Sequence, residues 1–276
     1  ILSYMSTTRT KKEKVTAATA NRYALYEASV YDPDADHDFL IDTYKEKRGC
    51  RPLLLREDFA GTSLLSAMWV QRHRDSQAWA VDLDPEPLAW GKEQHLDNLN
   101  PQEQPRVTQV EANVLEVETP EVDVLTAFNF SYWCFKDRGL MLDYFKKVHA
   151  ILKDDGMFAI DLMGGPSSQS ECEEEREEDG FDYVWEQENM CAITNDIKCY
   201  IHYKFNDGTK LEKAFTYDWR LWSLSELRDI MADAGFKSTD TYWEGTDEDG
   251  EGDGNYTLET AAENEESWVA YLVAWK

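Results

Sequence analysis

Short apolar segments alternate with amphipathic segments from Leu53 onward, and this alternation limits the fold more than any other feature of the chain. Apolar runs bounded by turns predict strands, and apolar residues at helical spacing predict the helices between them. Because repeated strand–helix units form parallel strands, we predict an α/β fold with a mostly parallel sheet and helices on both faces. The predicted strands cover 53–55, 78–81, 107–110, 122–128 and 157–162, and the predicted helices cover 63–72, 85–96 and 140–152.

The pattern changes after residue 164. Residues 164–180 contain an acidic run at 171–179, which indicates a solvated loop. An Asp207-Gly208 pair then predicts a hairpin turn, because these residues accept positive φ angles. We therefore predict a small antiparallel sheet inserted into the α/β core. Its predicted strands cover 183–188, 197–205 and 211–217.

Helical spacing also marks both ends of the chain. Residues 16–47 are predicted to be helical, with an interruption at Pro33. Later, Ser223 and Glu226 have the spacing of a capping box, and Gly235 predicts the end of the helix that follows. Two further strands, at 239–243 and 268–275, are predicted on either side of an acidic, glycine-containing loop.

The formal net charge of −27 bears on the partners that the chain can bind. DNA or RNA would meet net repulsion, and no compact stripe of Lys or Arg compensates for it. A small molecule or a basic protein tail is easier to accommodate. No apolar stretch approaches the ~20 residues that a membrane span needs. We expect an acidic protein that binds a small-molecule substrate, with no nucleic acid and no membrane as partner.

Cysteine and histidine usage indicates the compartment and argues against a metal site. The five cysteines form no C-x-x-C pair, and the five histidines have no metal-ligand spacing with them. We expect reduced cysteines and a cytoplasmic location. The sequence leaves the oligomeric state open, with a homodimer among the alternatives. Residues 1–4 do not have the character of a secretory signal, and Met5 is expected to be the natural start.

One acidic segment superficially resembles a calcium-binding loop. Asp247, Asp249, Glu251 and Gly252 have a suggestive spacing, but Leu258 stands where such a loop places its last carboxylate ligand. We therefore predict no metal site.

The most informative segment is the turn after the first predicted strand. Glu57 ends this strand, and the small residues Ala60, Gly61 and Thr62 follow before the next helix. Backbone N–H groups at such a helix start face a ligand, and small residues allow its close approach. Asp82 ends the next strand, where a carboxylate can accept both hydroxyls of a ribose. The two segments together predict a nucleoside-binding site.

These segments resemble the class I S-adenosylmethionine-dependent methyltransferases. Glu57 stands at the acidic position of the glycine-rich motif and Gly61 at its central glycine, whereas Phe59 and Ser63 replace the flanking glycines. The resemblance implies a Rossmann-like, mostly parallel seven-stranded sheet that binds S-adenosyl-L-methionine and releases S-adenosyl-L-homocysteine. It also implies a set of cofactor-binding residues: Tyr23, Tyr26, Glu57, Phe59, Ala60, Gly61, Thr62, Asp82, Leu83, Asn113, Val114 and Phe128.

The inserted antiparallel block resembles the small-molecule branch of this family typified by glycine N-methyltransferase. In that branch an N-terminal helix with two tyrosines covers the cofactor, and Tyr23 and Tyr26 are the matching residues. The resemblance implies one methyltransferase domain over residues 1–276. Its parts are a helical lid at 1–50, a Rossmann-like core at 51–163 and 223–276, and an inserted block at 164–222.

The resemblance also suggests residues near the transferred methyl group. Asn129 and Tyr132 follow the fourth strand and are our candidates for catalytic positioning. Trp133, Tyr203 and Trp219 are candidates for substrate binding, because aromatic faces attract a cationic amine. Packing in the core is the alternative for all these aromatic residues and for the two N-terminal tyrosines, and Asn113 equally fits a turn.

Three functions remain open at this stage. The first is methyl transfer to a small molecule, with an amine as one acceptor. The second is methylation of a basic protein side chain, with the acidic surface as docking face, and the third is cofactor binding without catalysis. A dinucleotide-dependent dehydrogenase is disfavoured, because the pyrophosphate requires glycines where this chain has Phe59.

Overall fold

The computed structural model describes residues 15–246 and 252–276 of the 276-residue chain. Met5 and the acidic residues Asp247, Asp249 and Glu251 lie outside these ranges. All five cysteines lie inside them and are free thiols.

Two sheets and six α-helices make up the described chain. The first sheet contains β1 (Leu54–Asp58), β2 (Gln77–Asp82), β3 (Val107–Glu111), β4 (Val122–Ala127), β5 (Leu152–Gly164), β10 (Ser238–Thr246), β11 (Gly252–Glu259) and β12 (Trp268–Trp275), and the second contains β6 (Cys172–Glu178), β7 (Phe181–Gln187), β8 (Asp196–Phe205) and β9 (Lys210–Arg220). The helices are α1 (Arg22–Ser29), α2 (Pro33–Arg48), α3 (Leu64–Gln71), α4 (Pro85–Gln94), α5 (Arg138–Ile151) and α6 (Leu224–Ala234).

The large sheet has the strand order β11-β10-β12-β5-β4-β1-β2-β3. Strands β1 to β5 run parallel, and β12 pairs antiparallel with both β5 and β10. The predicted mostly parallel sheet with helices on both faces is therefore confirmed, as is the small antiparallel sheet, which has the order β6-β7-β8-β9.

The large sheet has eight strands instead of the predicted seven. The additional strand, β11, pairs antiparallel with β10 in the segment that was expected to be a loop. Because β11 lies at the edge of the sheet, its polar and acidic side chains can stay in water while its backbone groups pair on one side.

The prediction of a loop for the acidic run at 171–179 is also wrong, because this run contains the whole edge strand β6. Its backbone pairs with β7 over the whole length of the strand. Lys204 on β8 forms ion pairs with Glu173 and Glu175, and Arg176 pairs with Glu178. These cations offset part of the repulsion between the glutamates, so the composition does not prevent strand formation.

Helices cover both faces of the large sheet. On β4, Val124 packs in the same apolar cluster as Leu40 of α2 and Trp69 of α3. Its neighbour Leu125 packs with Phe145 of α5 in the other cluster. Side chains alternate between the two faces of a strand, so these clusters lie on opposite sides of the sheet.

Local signals explain where several helices begin and end. Pro33 opens α2 after the cap residue Asp32, as expected for a residue that lacks an N–H group. The predicted capping box of Ser223 and Glu226 is present at the start of α6, and Gly235 ends that helix with a φ of 108°. Within the described residues, no helix is both long and apolar enough to cross a membrane.

A candidate cofactor cavity

A cavity of about 540 Å³ opens at the carboxyl ends of β1, β2 and β4. Residues of α1 and β9 line its other side. Ligands of open α/β sheets bind beyond the carboxyl ends of the strands, so this cavity lies where the fold favours a binding site.

Glu57, near the carboxyl end of β1, lines the cavity on the side of the large sheet. It accepts hydrogen bonds from the Ser66 backbone N–H (3.1 Å), the Ser66 hydroxyl (2.6 Å) and the Tyr31 hydroxyl (3.2 Å). Burial raises the pKa of Glu57 to about 7, although these hydrogen bonds oppose the shift. Its neighbour Asp58 is a structural residue, because it is bound by Arg56 and Tyr144 and does not line the cavity.

The turn after β1 holds three residues with positive φ angles: Phe59 (57°), Gly61 (51°) and Ser63 (61°). Phe59 and Ser63 are the residues that replace glycines in the resemblance described above, so the turn keeps a left-handed backbone there without glycine. Phe59, Ala60, Gly61 and Thr62, which the sequence predicts to bind the cofactor, all line the cavity. A Cβ atom at Gly61 would meet no atom within 4 Å, so the space above the turn is free for a ligand.

Asp82 ends β2 and faces the same turn. Its carboxylate accepts hydrogen bonds from the backbone N–H groups of Gly61 (2.7 Å) and Asp84 (2.9 Å). A carboxylate has about four acceptor sites, so Asp82 keeps acceptor capacity for a hydroxyl of a ligand. Burial raises the pKa of Asp82, and hydrogen bonds from the backbone limit the shift. Asp84 caps α4 through the Glu86 backbone N–H.

Helix α1 contributes Tyr23 and Tyr26 to the cavity. Burial raises the pKa of Tyr23 to about 12, and its hydroxyl accepts a hydrogen bond of 2.7 Å from Arg22. Arg22 also forms an ion pair with Glu86 of α4 (2.9 Å).

Glu27 ties α1 to the other side of the cavity. Its carboxylate accepts a hydrogen bond of 2.5 Å from the Thr62 hydroxyl and lies 2.7 Å from His95 Nε2. His95 directly follows α4, and Glu86 lies in the first turn of that helix. Helix α1 is therefore attached to both ends of α4, and its contact with Thr62 holds it over the turn between β1 and α3.

The segment after β4 contributes Asn129, Ser131 and Cys134. Tyr132, the other candidate for catalytic positioning, does not line the cavity: its side chain is buried, and its hydroxyl donates to the Asp161 backbone oxygen (2.9 Å). Trp133 is also buried outside the cavity lining, where its ring stacks with a neighbouring aromatic residue.

Strand β9 forms an aromatic wall of the cavity. Phe215, Tyr217 and Trp219 alternate along the strand and all line the cavity, so they share one face of it. Tyr217 and Trp219 stack with ring centroids 4.2 Å apart. Tyr203, the remaining candidate for substrate binding, is fully buried and packs against Phe181 inside the small sheet.

Four residues predicted to bind the cofactor lie outside the lining of this cavity. Leu83 is 68% exposed, and Val114 is buried in the core. Phe128 packs against Tyr271. Asn113 accepts a hydrogen bond from the Leu115 backbone N–H (3.0 Å), which is the arrangement of a turn former.

Three carboxyl groups near the base of the cavity are buried or half-buried and have raised pKa values. Burial raises the pKa of Asp36 to about 8, and those of Glu57 and Asp161 to about 7. Each is hydrogen-bonded to hydroxyl or backbone N–H groups, and no Lys, Arg or His of the described chain forms an ion pair with any of them. A buried negative charge is costly without a cation, so burial favours the protonated form of these three groups.

Sequence reasoning missed Arg22, Tyr31, Asp161, Phe215 and Tyr217. Only Asp161 had a signal in the sequence, since it is an acid near the end of a parallel strand, as Asp82 is. Within residues 15–246 and 252–276, no group of three or more His, Cys, Asp or Glu side chains is arranged to hold a metal ion.

The fold is similar to those of solved methyltransferases. An S-adenosylmethionine-dependent methyltransferase from Clostridium acetobutylicum matches with a TM-score of 0.67 and 17% identity, over 91% of this chain and 96% of that chain. A sugar N-methyltransferase from Streptoalloteichus matches with a TM-score of 0.62 and 15% identity, over 100% and 99%. An amino pentose methyltransferase from Micromonospora echinaspora, solved with S-adenosylmethionine bound, matches with a TM-score of 0.64 and 12% identity, over 92% and 95%.

These similarities lie in the structure, because no protein-family model and no curated protein matches the chain by sequence. The chain therefore has the fold of S-adenosylmethionine-dependent methyltransferases, with the cavity at the carboxyl ends of its parallel strands.

Proposed function

We propose that the chain transfers a methyl group from S-adenosyl-L-methionine to a small-molecule acceptor, with an amine as the acceptor group. The observation that carries this proposal is the joint position of Glu57, Gly61 and Asp82 around one cavity in a methyltransferase fold. Several of the structural neighbours are described as N-methyltransferases of sugars or glycopeptides.

The residues around the cavity fit this cofactor. Asp82 keeps acceptor capacity for a ribose hydroxyl beside its hydrogen bonds to the turn. The open space above Gly61 allows the ligand to approach the backbone of the turn. Glu57, the one of the three buried carboxyl groups that lines the cavity, suits a ligand with positive charges, and S-adenosylmethionine carries both a sulfonium and an ammonium group.

The cofactor, when bound, supplies a methyl group on an electrophilic sulfonium. The tasks left to the protein are to align the acceptor with this methyl group and to exclude water. Tyr23, Tyr26 and the aromatic wall of β9 line the cavity and are our candidates for excluding water when the cofactor is bound. Asn129, which lines the cavity beside Ser131, is our candidate for orienting the acceptor.

An amine acceptor must lose a proton before it can attack. Water is the simplest acceptor for this proton, because Glu57 is already assigned to the cofactor and accepts three hydrogen bonds from the protein. The ring faces of Tyr217 and Trp219 would hold the cationic form of the amine before the proton is transferred, at about 0.5–2 kcal/mol for each ring.

Calorimetric titration with S-adenosylmethionine tests the cofactor proposal. We expect binding by the native chain and a large loss of affinity when both Glu57 and Asp82 are changed to Ala. Unchanged binding by this double variant would contradict the proposed site. Release of S-adenosylhomocysteine in the presence of an amine panel would then separate catalysis from cofactor binding alone.

Methylation of a basic protein side chain is the second candidate, and the net charge of −27 favours it. Cell extract incubated with methyl-labelled cofactor distinguishes the two acceptors. Label in precipitated protein would support the second candidate, whereas label in the soluble small-molecule fraction would support the first.

A further inference from the structure

The turn after β4 has an unusual backbone. Asn129 and Phe130 are consecutive, and both have positive φ angles, 57° and 55°. Non-glycine residues rarely adopt this conformation, because the Cβ atom crowds the following carbonyl group. The turn nevertheless controls part of the cavity, since Asn129 and Ser131 line it and Cys134 follows at the end of the same segment.

A carboxylate on the neighbouring strand holds this turn. Asp161 Oδ2 accepts a hydrogen bond of 2.8 Å from the Asn129 backbone N–H, and Oδ1 accepts one of 3.0 Å from the Phe130 N–H. Ala127 of β4 is aligned with Ile160 of β5, so Asp161 lies one residue beyond the last aligned pair. It therefore binds the two N–H groups at the point where the chain leaves the sheet.

Asp161 also connects to the segment that follows the turn. Its backbone oxygen accepts a hydrogen bond of 2.9 Å from the Tyr132 hydroxyl. The ring of Phe130 stacks with Trp133, with centroids 5.2 Å apart, and lies 6.1 Å from Trp219 of the aromatic wall. The conformation that Asp161 holds therefore affects both the cavity-lining segment that starts at Asn129 and the aromatic wall of β9.

We propose that Asp161 is a positioning residue of the cofactor cavity, which fixes Asn129 and the segment up to Cys134 by binding two consecutive backbone N–H groups. The inference rests on the proposed function, because the ligand that reports on the cavity is S-adenosylmethionine. Without the carboxylate, the strained turn relaxes and the cavity loses one of its walls.

Asp123 provides a matched control at the opposite, amino end of the parallel strands. Asp123, near the start of β4, accepts hydrogen bonds of 2.8 Å from the consecutive N–H groups of Leu53 and Leu54. Removal of this carboxylate also frees two backbone N–H groups, but Asp123 does not line the cavity. The Asp161→Ala and Asp123→Ala variants are therefore both expected to be less stable, and only the first is expected to bind the cofactor poorly.

Calorimetric titration with S-adenosylmethionine measures this difference. We expect Asp161→Ala to weaken binding by about tenfold or more and Asp161→Asn, which keeps one acceptor oxygen, to have an intermediate effect. Asp123→Ala is expected to stay within about twofold of the native affinity. Equal affinities for the native chain and Asp161→Ala would overturn the proposal, as would equal losses in Asp161→Ala and Asp123→Ala.

Hydrogen exchange of the Asn129 and Phe130 amides gives a second measurement that needs no ligand. We expect both amides to be protected in the native chain and in Asp123→Ala, and to exchange faster in Asp161→Ala. Unchanged protection in Asp161→Ala would overturn the positioning role. If the native chain does not bind the cofactor, the proposed function fails. In that case the exchange of the two amides alone decides whether Asp161 fixes the turn.

Discussion

The backbone N–H of Gly61 donates a hydrogen bond of 2.7 Å to the carboxylate of Asp82, and this contact joins the turn after β1 to the end of β2. The two segments that the sequence predicts to form one nucleoside-binding site therefore touch in the folded chain.

The first prediction concerns Asp82. Replacement by Ala removes the acceptor for the ribose hydroxyls and frees the Gly61 N–H, so we expect cofactor affinity to fall by about one to two orders of magnitude, since a hydrogen bond to a charged group contributes ~1.5–3 kcal/mol. Calorimetry measures the change. Asp137→Ala is the control, because Asp137 caps α5 and lies outside the cavity lining; a similar loss of affinity in both variants would contradict the assignment.

The second prediction concerns the attachment of α1. Glu27→Gln removes the negative charge that binds His95 and weakens the contact with Thr62. We expect the cofactor to dissociate several times faster, because α1 covers the cavity less firmly. Stopped-flow fluorescence can follow this step, since Trp90 lies 5.7 Å from Tyr23 on α1.

Glu93→Gln is the control for this experiment, because Glu93 is an exposed residue of the same α4 helix that Glu27 helps to contact. An identical dissociation rate in Glu27→Gln and the native chain would show that α1 does not limit the release of the ligand.

The third prediction concerns the aromatic wall. Tyr217→Leu removes a ring that lines the cavity and stacks with Trp219, whereas Tyr217→Phe keeps the ring. With a methylated amine identified from the panel, we expect kcat/KM to fall by about 2- to 30-fold in the Leu variant only, as the loss of one cation–π contact predicts. Cofactor affinity serves as the internal control. A loss of similar size in the Phe variant would mean that the hydroxyl, and not the ring face, matters.

The fourth prediction concerns pH. Asp36, Glu57 and Asp161 have pKa values of about 8, 7 and 7 in the folded chain, above the unfolded value of about 4 for such groups. The protonated forms therefore favour folding. Their contribution is fully present below pH ~4 and is lost as the pH rises through 7 to 8, so we expect the melting temperature without ligand to fall between pH 5.5 and 8.5.

Asp36→Asn tests the origin of this pH dependence. The amide stays neutral at every pH and can still accept the hydrogen bond from Tyr271, so the variant should lose less stability at high pH. Each kcal/mol corresponds to roughly 2–4 °C in melting temperature for a chain of this size. The control is Asp97→Asn, an exposed surface residue with the same change in charge. Parallel profiles for the native chain and both variants would rule out Asp36 as a source of the pH dependence.

The sequence predicted the site best where side chains follow parallel strands. Glu57 and Asp82 end β1 and β2, and the carboxyl ends of neighbouring parallel strands meet at one edge of a sheet. Asp161 obeys the same rule on β5. It was not identified because its function depends on two N–H groups of another strand, which no spacing along the chain reveals.

Side-chain direction limited the other predictions. Asn129 and Tyr132 belong to one short segment, yet only Asn129 lines the cavity, because the consecutive left-handed residues turn the chain between them. The direction of the Tyr203 side chain could not be predicted either. Alternation along a strand divides the residues between two faces, but it does not show which face packs against the core sheet. The edge strand β6 was missed because charge density alone was used to predict a loop, although edge strands tolerate charge.

The left-handed residues around the cavity have a consequence for attempts to make this protein more heat-resistant. Of the six non-glycine residues with positive φ in the described chain, Phe59, Asn129 and Lys213 line the cavity, and Ser63 and Phe130 adjoin lining residues. Glycine would relieve the backbone crowding at each position. Selection for thermal tolerance alone would therefore favour glycine at the rim of the cavity, and would loosen the region where the ligand is expected to bind.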